Sequence, residues 1–120
     1  MIDREALVDM FDSIAERGDW DMSRPMLWGY FFVNREPVAL RAAIPKLQSE
    51  DYEFVSVYKS EKDERDDADL WWLHVQRVEI HTVDTLFARN ERLSEFAKRH
   101  GIDSYDGMDV GPLPVVTRPD

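Results

Sequence analysis

Three aspartates spaced by three, Asp103, Asp106 and Asp109, surround Gly107 in the stretch DSYDGMDVGP. Carboxylates this close could hold a hard cation or work as paired acids. A calcium loop of the EF-hand type takes ligands at alternate positions and closes with a Glu at the twelfth. Here the spacing is three and the twelfth position is Pro114. Acid–base catalysis needs a pocket that drives two pKa values apart, and a linear stretch of this kind does not supply one. The reading that fits is a bend or bulge at Asp106-Gly107 within a strand, its aspartates in solvent.

His74, Glu79 and His81 form a second set. Residues seven apart on a strand leave opposite faces, so the two histidines cannot share an ion. Glu79 and His81 do share a face, but two ligands are too few for a closed metal site. His100 falls near a helix end, where an imidazole suits the dipole. The chain has no cysteine, which removes thiol chemistry and disulfides. It also lacks a nucleophile elbow, a phosphate-binding loop and a dinucleotide fingerprint. The expectation is no enzyme, no cofactor and no metal.

The elements that carry these residues follow from periodicity. Leu7, Met10, Phe11 and Ile14 form one helical stripe, with Asp3 to cap it and Gly18 to stop it, which predicts a helix over 2–17. LWGYFFVN (27–34) reads as a strand, and a second helix starts at Pro37. Pro45 should bend or shorten that helix, because it cannot donate to the Arg41 carbonyl. Strands follow at 52–59 and 70–81, then a helix capped by Thr82 and ended by Gly101, then a strand at SYDGMDV. The order is a helix followed by β-α-β-β-α-β. This predicts an α+β, ferredoxin-like sandwich of a four-stranded antiparallel sheet and two helices, with an additional N-terminal helix. The expected organisation is one domain over 1–120: helix 2–17, core 27–112 and an irregular tail 113–120.

Alternation then divides the sheet. If Trp71, Leu73 and Val75 face the helices, Trp72, His74 and Gln76 face away. Trp28, Tyr30 and Phe32 are expected on the same outer face, with Gly29, Phe31 and Val33 turned inward. An aromatic face needs a cover, and the N-terminal stripe is the nearest candidate. Trp28, Tyr30, Trp72 and His74 are therefore candidate partner-binding residues, or alternatively the wall of a small-molecule or sensory pocket, or a self-association face.

The formal charge is −10, and it is clustered. Residues 1–21 hold seven acids, and SEKDERDDAD (60–69) holds six. Glu61, Asp63, Glu64, Asp66 and Asp67 join the candidate partner-binding set, since such a field favours basic partners and repels nucleic-acid phosphate. Rings on the first and third strands invite comparison with an RNA-recognition module, but no basic-aromatic stretch accompanies them. The acidic opening MIDREALVDMF lacks an apolar h-region, and no apolar run nears the ~18 residues of a membrane span. A cytoplasmic protein without membrane or direct nucleic-acid contact is expected.

In order and spacing, WGYFF, YEFVSVY, the Trp-rich third strand and HGIDSYDGMDVGP resemble the ribonuclease E regulator B (RraB-like) family over about 27–112. Tyr105, Asp106 and Gly107 match its closing motif, with Met108 where that family commonly has Trp. The resemblance implies an α+β sandwich that binds protein: a regulator restraining ribonuclease E through its basic scaffold region, and so altering messenger RNA turnover.

Overall fold

The computed structural model describes residues 2–60 and 70–113. Its elements are α1 (Arg4–Arg17), β1 (Met26–Asn34), α2 (Pro37–Ser49), β2 (Glu53–Lys59), β3 (Trp71–Glu79), α3 (Val83–Arg99) and β4 (Ser104–Gly111). The strands form one antiparallel sheet in the order β2-β3-β1-β4, and nothing in it conflicts with the ferredoxin-like succession. The class is α+β, as expected.

Local chemistry accounts for the helix ends. The Asp3 carboxylate accepts from the Ala6 N–H at the start of α1. Thr82 and Thr85 cap each other's backbone N–H groups at the start of α3, so two otherwise unpaired donors are satisfied. At the far end of α3, the Ile102 N–H returns to the Ala97 carbonyl at 2.9 Å, and Ile102 is buried. Pro45 does not shorten α2, which runs on to Ser49. Arg41 and Pro45 both lie on its exposed side, where water can serve the freed carbonyl.

The sheet register corrects the expected faces. Tyr30 lies opposite Val75, and Phe32 opposite Leu73, while Phe31 lies opposite His74 and Val33 opposite Trp72. Directly opposed residues share a face. Trp28, Tyr30 and Phe32 therefore join Leu73 and Val75 against the helices, and all five are essentially inaccessible. The physical reason is volume. Trp28, Tyr30 and Phe32 are the largest fully buried side chains, and they take far more apolar surface from water than Gly29, Phe31 and Val33 could. Each ring buries roughly 150–250 Å², which is about 4–6 kcal/mol before ordering costs.

The N-terminal helix follows the same correction. It does not cover the second face. Its Leu7 is fully buried in the main core, Phe11 stacks on Trp28 at 6.3 Å, and Arg4 pairs with Asp84 of α3. All three helices thus form one layer on one side of the sheet. No described element lies across the other side as a second layer.

Candidate partner-binding face

The uncovered side of the sheet is built by alternation along four strands. β1 contributes Gly29, Phe31 and Val33, β3 contributes Trp72, His74 and Gln76, β2 contributes Ser56 and Tyr58, and β4 contributes Gly107 and Asp109. The rings are mutually oriented. Phe31 and His74 stack with centroids 4.3 Å apart, and Tyr58 and Trp72 lie parallel within 6° at 6.4 Å. Tyr58 is 41% exposed.

Two glycines shape this surface. A Cβ at position 29 would collide with the Asp109 carboxylate and lie 2.8 Å from His74 Nε2. A glycine there lets the imidazole and the carboxylate approach each other across the backbone. Gly107 has φ 142°, and the register shifts at that point, so that Phe31 faces Gly107 while Phe32 faces Tyr105. Asp106 is the extra, bulged residue, as the sequence suggested. The bulge turns Asp106 onto the open face. With Ile2, Phe31, Tyr58, Trp72, Gly107 and Met108 it lines a shallow depression of about 350 Å³.

The electrostatics of the face are one-sided. Burial lowers the His74 pKa below its usual 6.5, with Asp109 opposing that shift, so the ring is mainly neutral at pH 7. Burial, followed by the negative charges of Asp106 and Asp109, raises the Tyr58 phenol. No Lys or Arg stands among the described residues that the register places on this face. The described residues of this face therefore offer ring faces and carboxylates, and no Lys or Arg.

The candidate residues from the sequence separate accordingly. Trp72 and His74 are on this face. Trp28 and Tyr30 are not, because both are in the core at 0% exposure. Tyr105 turns toward α3, where its hydroxyl donates to Asn90 Oδ1 at 2.6 Å. Asp106 and Gly107 shape the depression. Asp103 is not simply solvated, since it accepts from the Arg35 backbone N–H at 3.0 Å. Glu61, Asp63, Glu64, Asp66 and Asp67 lie outside the described residues. Phe31 and Tyr58 are not among the residues the sequence points to, although a correct phase for β1 identifies Phe31, and Asp109 stands on this face beside His74 and not simply in solvent.

A second constellation is only partly legible in the sequence. Glu79, 11% exposed, accepts from Tyr30 and from Arg89 Nη1 at 2.6 Å, and lies 2.8 Å from His81 Nε2. His81 in turn meets the Tyr30 hydroxyl and Thr85 Oγ1, each at 2.9 Å. Burial opposes ionisation of Glu79, but the hydrogen bonds from His81, Tyr30 and Arg89 outweigh it and hold its pKa at about 2. The same burial, with Glu79 alongside, drives the Tyr30 phenol far up. The spacing of Glu79 and His81 on one face was legible, but Arg89 from α3 was not. This cluster ties β3 to α3 beneath the helix layer. β3 ends at Glu79, short of the expected 81; His74 lies on the open side, and His81, beyond the strand, is buried on the helix side against Trp28 and Thr85.

A concavity of about 550 Å³ runs between α2 and α3 past Lys46, Glu50, Tyr52, Arg92 and Phe96. Its acids and bases are mixed, and Arg92 pairs with Glu50 at 3.0 Å. It presents no net charge to select a ligand. Among the described residues, no helix is long and apolar enough to cross a membrane. No curated protein matches the chain. The family model for RraB, regulator of ribonuclease activity B, matches residues 4–110.

Proposed function

We propose that this chain, which belongs to the regulator of ribonuclease activity B family, restrains ribonuclease E by binding the basic scaffold region of that enzyme. The family is one of regulators of ribonuclease activity, which supports recognition of a protein over chemistry on RNA. The observation that carries this reading is the uncovered sheet face, aromatic in the middle and edged with carboxylates. Apolar ring surface gives binding energy, and the acidic surround gives encounter rate and selects for a basic partner. The same carboxylates repel phosphate, which argues against the face being an RNA platform despite rings on both central strands. The acidic segment 60–69 joins β2 to β3 and adds to the field by composition. A single-domain, cytoplasmic regulator acting on messenger RNA turnover fits this role.

The experiment is capture of the ribonuclease E scaffold by the full chain at low and at high salt, together with messenger RNA half-lives in a deletion strain. Salt-sensitive capture and accelerated decay are expected. No capture at low salt, with unchanged half-lives, overturns the proposal.

A further inference from the structure

The depression on the open face has a narrower chemistry than a general basic patch. Tyr58 and Trp72 are in-register neighbours on β2 and β3, and their rings are parallel within 6°. Two parallel rings with centroids 6.4 Å apart concentrate π surface at the depression they line, and π surface suits a flat cation better than a compact one. Asp106 stands in the lining of the same depression, displaced there by the bulge, and supplies an acceptor with two oxygens. Asp109 lies near enough to act on the Tyr58 phenol, so the field of a second carboxylate reaches the site. Ile2 and Met108 line the remaining wall with apolar surface, which suits a methylene stem.

From this geometry we infer that the depression lined by Phe31, Tyr58, Trp72 and Asp106 is a receptor for an arginine side chain presented by a basic segment of a partner protein. The guanidinium lies on the Tyr58 and Trp72 faces, and its N–H fork donates to the Asp106 carboxylate. An ammonium would reach the carboxylate but could not match the parallel ring faces, so lysine fits less well. A neutral isostere would lose both the ring and the carboxylate attraction. This inference rests on the protein-binding reading above, and it names the partner group that the face selects.

The test uses the full chain and three blocked eight-residue peptides that alternate glycine with arginine, with lysine or with citrulline. Binding is followed by side-chain NMR shifts at low salt. The arginine peptide is expected to shift Phe31, Tyr58 and Trp72 resonances and to bind about 3-fold tighter than the lysine peptide. It should bind at least about 10-fold tighter than the citrulline peptide. Tyr58→Ala and D106N, both exposed positions whose fold is checked by circular dichroism, should each weaken the arginine peptide about 3–10-fold.

Equal binding of arginine and lysine peptides, insensitive to both variants, would reveal only a diffuse acidic field and overturn the inference. So would shifts confined to other surfaces. Sedimentation showing a dimer that Tyr58→Ala dissociates would give the face to a second copy of the chain and also overturn it. If the ribonuclease scaffold binds and both variants bind it normally, this site fails while the regulatory reading stands. If the arginine peptide occupies the depression but the scaffold is not captured, the regulatory reading fails and the arginine receptor stands.

Discussion

Replacing Glu79 by Gln tests whether the buried polar cluster holds β3 to α3 as its geometry requires. The carboxylate accepts from Tyr30 and Arg89, lies 2.8 Å from His81 Nε2 and also faces Arg77 Nε at 3.4 Å. Gln keeps the shape, but it brings two N–H donors to a site that supplies donors already and leaves Arg89 without its counter-charge. The fall of the Glu79 pKa from an ordinary 4.5 to about 2 sets the scale. At roughly 1.4 kcal/mol per tenfold change in proton affinity, it amounts to about 3 kcal/mol. With 11% of the side chain exposed, solvent screening removes little of that. The direction with pH follows from the lowered folded value: this stability is present above pH 4.5 and is lost as the pH falls toward 2. Gln has no proton to take up, so its stability lacks that acid limb. Urea unfolding of both proteins by circular dichroism should give a gap of about 3 kcal/mol near pH 7, shrinking to about 1 kcal/mol near pH 2.5. A gap under about 1 kcal/mol at neutral pH, or one unchanged into acid, would refute the reasoning.

The corrected sheet faces predict that Trp28→Ala costs about 3–5 kcal/mol in denaturant unfolding, as for a fully buried aromatic. Trp72→Ala, on the open side, should cost clearly less, and comparable losses would contradict the assigned register. Thr82→Ala removes the α3 cap and should cost about 1 kcal/mol, with faster amide exchange in the first turn of the helix. Unchanged exchange there would mean that the cap contributes nothing. Gly107→Ala places a side chain at φ 142° and 3.1 Å from Ile2 Cδ1. It should cost about 1–3 kcal/mol in the same unfolding assay, and a neutral result would remove the claim that the bulge requires glycine.

The element order was legible because each helix and strand declares itself locally. Asp3 and Thr82 cap helices as their types require, and Ile102 closes the end of α3 through its own short-range bond. The bulge at Asp106-Gly107 was also legible, because a bend was the reading left once metal and acid chemistry had been set aside. Alternation gives the right phase for β3 and the wrong one for β1. Alternation separates Trp28, Tyr30 and Phe32 from Gly29, Phe31 and Val33 with certainty, but it carries no label for which set faces in. The buried cluster was hidden for a related reason. Arg89 and Tyr30 are 59 residues apart, and no local pattern couples them.

By itself, then, the sequence determined the succession of helices and strands, the helix caps, the acidic character of the chain and the absence of thiol chemistry. All of these depend on neighbours within a few residues or on composition. The tertiary structure decided which rings are core and which are surface, where α1 packs, and that Asp106 stands beside Tyr58 and Trp72. Those outcomes depend on pairing register and on filling the volume under three helices, and both are properties of distant segments meeting.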